Sequence, residues 1–405
     1  MHLPNVSDDQ PAMKAEAGPS PLPWSILVVS AVAGCLWHLV LLCLGAATFV
    51  APDVSGETAN PQRLAARIIR ADAPGWAAGW YQWDALWFVH LSRYGYVLEL
   101  GPDGVPAQSN IAFTPGLAIV EQALDRLTGS PWAAILGFNV VADFAAMLGL
   151  AAIARRLTGS RSATIWTIVA FNAWPWRFFL VAPYQEAAGA ALTFWSIETA
   201  MAGRIGCSFL LALFSSAFRL NAVGLLGGWA AGRATEAIRG PERKLLLGQA
   251  FAACGVVVGW AALLAFFRYE FGDASLGVTI QRAWGRRPPH LSGLIESLGS
   301  PILHTMTGSE WLDWAAACAV VSSVPIVWRK FGMSWGLSVT GLSVQALSTG
   351  RVLSFGRFAV LACPFFVAIG LAASRRPRLA VVGCLLGLSL QIFLMQRFGH
   401  GLFAG

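Results

Sequence analysis

Long apolar blocks alternate with short polar ones along most of the chain. The blocks 24–50, 131–154, 162–182, 184–202, 245–268, 311–328, 333–349, 353–373 and 378–396 are candidate membrane spans, since a membrane-crossing helix needs roughly 20 apolar residues. The block 205–232 is too long for one comfortable span, and Arg219 and Asn221 interrupt its middle. It predicts two short half-passes that meet at those polar residues. Segment 111–129 is half apolar and closes on Asp125 and Arg126, which predicts an interfacial or re-entrant piece. Together the pattern predicts an all-α, polytopic integral membrane protein with roughly 10–11 transmembrane passes. No polar linker divides the blocks, so residues 23–405 are expected to form a single membrane domain. Residues 1–22 read as a polar cytoplasmic tail. With Asp8, Asp9, Lys14 and Glu16, this tail does not resemble the basic start of a signal peptide.

Charge gives the pattern a direction. Lys and Arg collect in short cytoplasmic loops, and four basic clusters stand out: Arg155-Arg156-Arg161, Arg233-Arg239-Arg243-Lys244, Arg329-Lys330 and Arg375-Arg376-Arg378. Placing all four on the cytoplasmic side gives a consistent alternation of spans, provided that 205–232 is two half-passes. The N-terminus is then inside and the C-terminus outside. Two longer polar segments, 51–110 and 269–310, fall on the outer face, as do short turns near 183–186, 219–221 and 350–356. Composition agrees with the class. The 405 residues are 56% hydrophobic and 12% charged, with a mean hydropathy of +0.60, whereas soluble chains are about a quarter charged. The net charge of +7 fits loop bias and contact with anionic membrane lipids. No basic domain stands apart, so no nucleic-acid partner is expected. Cys35, Cys43, Cys207, Cys254, Cys318, Cys363 and Cys384 lie in or beside apolar blocks without a CxxC pair. They read as small hydrophobes, not as disulfides or a zinc site.

Most candidate polar residues fall on the outer face. Arg63, Arg67 and Arg70 recur at helical spacing, with Leu64, Ile68 and Ile69 elsewhere on the same helix. That pattern suits an amphipathic surface helix, either anchored by lipid headgroups or cradling a substrate phosphate. Asp84 is bracketed by aromatics in Tyr81-Gln82-Trp83-Asp84-Ala85-Leu86-Trp87-Phe88. It is either a helix N-cap or a desolvated carboxylate fit to act as a general base. His90 is either structural or a polar partner on the same surface. Glu186, in the turn Pro183-Tyr184-Gln185-Glu186, either caps its helix or holds a metal or a sugar hydroxyl. Arg219, with Asn221, sits in an apolar block at a cost of a few kcal/mol on insertion scales. Its planar fork suits a phosphate. Arg351 and Arg357 either snorkel to the interface or join that role. The loop with Arg282, Arg286, Arg287, Pro288, Pro289 and His290 is a candidate lid or acceptor-binding surface. Walker, GxGxxG, HExxH and GxSxG motifs are missing, which disfavours soluble nucleotide chemistry.

These residues resemble a known family. Trp83-Asp84-Ala85 with Phe88, His90 and Gly95-Tyr96, then Ala112-Phe113-Thr114-Pro115-Gly116, is similar to the WDA and AFFPG signatures of the PIG-V family. Those are GPI mannosyltransferase II-like proteins of the GT-C glycosyltransferase superfamily. Tyr184-Gln185-Glu186 resembles the family's Y-S-E, and Arg219-Leu220-Asn221-Ala222 its R-S-N-G. The resemblance covers residues 80–230 well and the C-terminal half mainly by hydropathy. Leu86, Thr114, Gln185, Leu220 and Ala222 depart from the family pattern, which bears on the acceptor more than on the reaction. The resemblance implies transfer of a hexose, mannose in the family, from a polyprenyl-phosphate sugar to a lipid or glycan acceptor, with inversion. Asp84 is then the base and Arg219 the first choice for the lipid phosphate, with Arg351 and Arg357 behind it. Trp83, His90, Tyr184, Glu186 and Asn221 would bind the sugar or acceptor. A divalent metal is compatible with this chemistry but not demanded, and no other cofactor is implied. The site would face the periplasm of a bacterium or the lumen of the endoplasmic reticulum. Two other classes fit parts of the pattern. A secondary transporter would explain the broken block 205–232, although no internal repeat accompanies it, and a non-catalytic scaffold subunit of the same fold would explain the departures.

Cysteine labelling tests the orientation. Thiols introduced by Ser55→Cys and His290→Cys are expected to react with a membrane-impermeant reagent from the non-cytoplasmic side. Accessibility from the cytoplasm at either position would overturn it.

Overall fold

Helices supply nearly all the regular structure in the computed structural model, which describes residues 24–55, 60–101, 105–303, 305–402 and 404. The expected tail 1–22 lies outside the described residues. Among those residues the only β feature is an isolated bridge between Leu100 and Pro106. This suits lipid, where helices satisfy their own backbone. Among the described residues four helices are long and apolar enough to cross a membrane: Pro131–Thr158, Arg243–Phe271, Gly308–Phe331 and Pro377–Gly399. Phe355–Leu361 and Cys363–Arg375 add a fifth if that pair, bent by 81°, is one span. The chain is an all-α, multi-pass membrane protein.

Several other expected spans form shorter helices. Glu186–Met201 has 16 residues and Met333–Leu347 has 15. At about 1.5 Å per residue each falls short of the roughly 30 Å hydrocarbon core. The expected span 162–182 is not one helix. Arg161–Asn172 is helical, and the chain then turns through Trp174-Pro175-Trp176 into the short 3-10 segment Arg177–Leu180. Pro175 and Pro183 explain the break, because proline removes a backbone donor and disfavours helix in the residue before it. Segment 111–129 contains the helix Gly116–Thr128, 13 residues long.

Block 205–232 breaks where the polar residues predict. Ile205–Phe218 and Ala222–Arg239 flank the turn Arg219–Asn221. In segment 51–110, Pro61–Asp72 is helical, with the Asn60 side chain accepting from the backbone of Gln62 and Arg63. It buries Ala65, Ala66 and Ile69, and Arg63 pairs with Asp53 at 2.8 Å. Segment 269–310 forms the short elements Leu276–Thr279, Ile280–Trp284 and Leu291–Leu298.

One packing contact matters for the site. Helix Ala222–Arg239 lies against Met333–Leu347. Gly224, Gly228 and Gly232 repeat every fourth residue and face Gly341, Leu337 and Ser334 of the partner helix at backbone distance. Small residues are what allow such close approach in lipid. The contact lets Gln345 bridge the helices: its Nε2 donates to the Leu220 carbonyl at 3.0 Å, and its Oε1 accepts from Gly224 N at 2.7 Å. The turn carrying Arg219 is thereby tied to the bundle. A side chain at position 228 would collide with the Leu337 carbonyl. Gly228→Val is therefore expected to cost about 1–3 kcal/mol, read as a lower unfolding temperature in detergent. An unchanged temperature would contradict this packing.

Candidate active site

Four turns converge on one cavity of about 340 Å³. The first carries Asp84. Trp83, just before it, adopts φ 53°, a left-handed conformation that is strained for a bulky residue. Tyr184, from the second turn, holds it there. Its hydroxyl accepts from Asp84 N at 3.1 Å and donates to the Gln82 carbonyl at 3.0 Å. Asp84 is the first residue of the helix Asp84–Tyr94, and its side chain does not cap that helix. Its Oδ2 instead accepts from Arg357 Nη1 at 2.7 Å. The Asp84 side chain is 22% exposed, so it is an ion-paired carboxylate opening on the cavity and not the deeply desolvated one considered above.

Glu186 likewise opens its helix without capping it. Its Oε1 lies 3.0 Å from Arg219 Nη1 and 3.1 Å from Arg357 Nε. Neither contact has hydrogen-bond alignment, and both Glu186 oxygens, Arg219 Nη2 and Arg357 Nε are buried without a hydrogen-bond partner. Native proteins rarely leave such groups unsatisfied, so the cluster is chemically ready for a polar ligand. One guanidinium, Arg357, thus contacts both carboxylates.

Arg357 is held as deliberately as Asp84. It lies in the short turn Phe355–Phe358, entered through Ser354 at φ 66°. Buried Asp313 accepts from Ser354 N at 2.8 Å and from Gly356 N at 2.9 Å, while Trp174 Nε1 donates to the Gly356 carbonyl at 2.8 Å. The Phe358 ring lies among three cations. Arg219, Arg286 and Arg357 sit 5.2, 5.4 and 5.7 Å from its centroid, within cation–π range. Arg286 reaches the cavity from the 280–290 loop. Desolvation, then the nearby Arg357 charge, pushes its pKa down to about 10, so it stays cationic at neutral pH.

Apolar residues also line the cavity: Trp87, Phe113 and Trp284, with Trp260, Leu263, Leu264 and Phe267 of the Gly255–Phe271 helix. The 280–290 loop lines it too, through Trp284, Arg286, Arg287 and Pro289.

Of the residues singled out in the sequence, Trp83, Asp84, Tyr184, Glu186, Arg219, Asn221 and Arg357 line this cavity. His90 and Arg351 do not. The His90 ring, buried behind the wall, meets Asn110 Nδ2 through Nδ1 at 3.0 Å. Asn110 also donates to the Gly95 carbonyl and accepts from Val97 N, so His90 braces the following loop. Burial pushes its pKa below the ordinary histidine value, which suits a neutral ring accepting from an amide. Arg351 pairs with Glu310 at 3.2 Å. Two departures from the family pattern meet each other: the Thr114 hydroxyl contacts Gln185 Oε1 and the Phe218 carbonyl, each at 3.0 Å. Asp313 and Gln345 were missed, although each is a polar residue inside an apolar block and so carried a signal. Among the described residues no group of three or more His, Cys, Asp or Glu could hold a metal ion. Both cavity carboxylates are engaged by arginine.

Fold and site together define a class: an all-α, multi-pass membrane protein with an ion-paired cavity that apolar residues also line. No family model matches the chain. The Homo sapiens protein GPI alpha-1,6-mannosyltransferase 2 is 26% identical over 189 residues, covering 44% of this chain and 36% of that protein. The match therefore spans little more than a third of the relative's length. The chain bears a distant likeness to a mannosyltransferase.

Proposed function

We propose that this protein is a membrane glycosyltransferase. It moves a hexose, mannose by likeness to its relative, from a polyprenyl-phosphate sugar to a lipid or glycan acceptor on the non-cytoplasmic face. The observation that carries the reading is the cavity itself. A carboxylate on a strained turn, Asp84, shares the cavity with arginines, with buried, unsatisfied polar atoms and with apolar side chains. A lipid-linked sugar has the matching parts: a polar sugar, an anionic phosphate and an apolar tail.

In this mechanism Asp84 takes the proton of an acceptor hydroxyl. The oxygen attacks the anomeric carbon, the bond from that carbon to the phosphate oxygen breaks, and the configuration inverts. The lipid phosphate leaves with the bonding electron pair and needs cationic stabilisation. Arg357 holds Asp84 aimed before the substrate arrives. Glu186, with unsatisfied oxygens on the cavity, accepts from substrate hydroxyls, and Trp83, Tyr184 and Asn221 shape the same wall.

The test is transfer by purified protein from radiolabelled polyprenyl-phosphate mannose to a lipid extract. Asp84→Asn is expected to lower the rate by at least about 100-fold while keeping the wild-type fold. Equal transfer by both proteins would remove Asp84 as the base. No transfer by the wild type from any lipid donor would favour the scaffold or the transporter.

A further inference from the structure

Among the side chains that line the cavity, arginines outnumber carboxylates; the nearby buried Asp313 accepts from the backbone of the Arg357 turn. Asp84 and Glu186 oppose Arg219, Arg286 and Arg357, all lining one space. Arg287 also lines it but is paired with Glu296 at 3.2 Å. Arg219 contacts Glu186, and Arg357 contacts both carboxylates. Arg286 has no carboxylate partner among the described residues. Its contacts are neutral: Gln281 Oε1 at 3.1 Å and the Leu353 carbonyl at a long 3.4 Å. Its backbone is nevertheless fixed, because Arg286 N donates to the Gln281 carbonyl and Arg287 N to the Thr349 carbonyl. A half-buried cation held beside two others, around the single Phe358 ring, is repelled unless an anion joins them.

We propose that Arg286 is the anion receptor of this cavity, taking the phosphate ester of an amphiphilic substrate while Arg219 and Arg357 hold the two carboxylates. The assignment rests on the glycosyltransferase reading and moves the phosphate away from Arg219. Two further observations support it. Arg286 has a planar fork suited to two phosphate oxygens. The cavity also continues along Trp260, Leu263 and Leu264, on the long apolar helix Arg243–Phe271. An apolar tail bound there lies against a membrane-crossing element while its head reaches Arg286.

The experiment measures binding, not turnover. The full chain in detergent is titrated with citronellyl phosphate, with citronellol and with inorganic phosphate, read by tryptophan fluorescence. Wild type is expected to bind the phosphate ester about 10–100-fold more tightly than the alcohol. Arg286→Gln should lose that preference, bind the alcohol as before and unfold at the wild-type temperature. Arg286→Lys, which keeps the charge but not the fork, should lose part of it. Arg282→Gln, in the same loop but outside the cavity, should change nothing. Inorganic phosphate should compete weakly, because it brings no tail. Competition as strong as the ester's would make the ligand a free phosphate and overturn the lipid assignment. An undiminished preference in Arg286→Gln overturns the proposal, as does one in Arg286→Lys if the Gln variant fails to fold. Sugar transfer that is normal in Arg286→Gln overturns this assignment alone. A wild type with neither phosphate preference nor transfer overturns the glycosyltransferase reading as well.

Discussion

The site depends on one guanidinium. Arg357 contacts Asp84, 273 positions away in sequence, and Glu186, and so joins the C-terminal region to two turns of the N-terminal half. Ionic groups inside a membrane protein persist only when paired or used. Removing one member of a buried pair strands the other, at a typical cost of about 3–5 kcal/mol. The network is therefore a constraint on the fold as well as a chemical feature, because the helices that end at these residues must end where the charges meet.

The surrounding structure reads as a set of devices for meeting that constraint. The two non-glycine residues with left-handed backbone among the described residues, Trp83 and Ser354, precede the segments that carry Asp84 and Arg357. Strain of this kind costs about 1–3 kcal/mol per residue and persists only where the surroundings enforce it. Tyr184 enforces the first turn and Asp313 the second, each through two hydrogen bonds. Gln345 does the same for the Arg219 turn, from a helix pair whose glycines permit backbone contact.

Much of this was legible in the sequence, for identifiable reasons. Hydropathy located the long helices because lipid imposes length and composition together. Arg219 and Asn221 marked a real break, since a charge in an apolar block has to be accommodated by the chain. Asp84, Glu186 and Arg357 stood out for the same reason. What the sequence did not carry was pairing. Nothing in its order says that Arg351 would turn to Glu310 and Arg357 to Asp84, although the two lie six residues apart in one turn region. His90 looked like site chemistry because it follows Asp84 closely, yet the helix turns its ring away towards Asn110. The block 162–182 misled because hydropathy averages over Pro175. Thr114 and Gln185 looked like two separate departures from a family pattern, and only their contact explains them as one adjustment.

The chemistry follows from a division of labour among like charges. Two arginines pair with two carboxylates, and in the proposed function a third receives the substrate phosphate. Asp84, the proposed base, is paired with Arg357 in the resting protein. All of this requires that Asp84 and Arg357 act as one unit. A double-mutant cycle measures that directly: unfolding in detergent of the wild type, Asp84→Asn, Arg357→Gln and the double variant. The account predicts strong coupling, with the double variant losing less stability than the two single losses combined, by about 1 kcal/mol or more. Additive losses would contradict it.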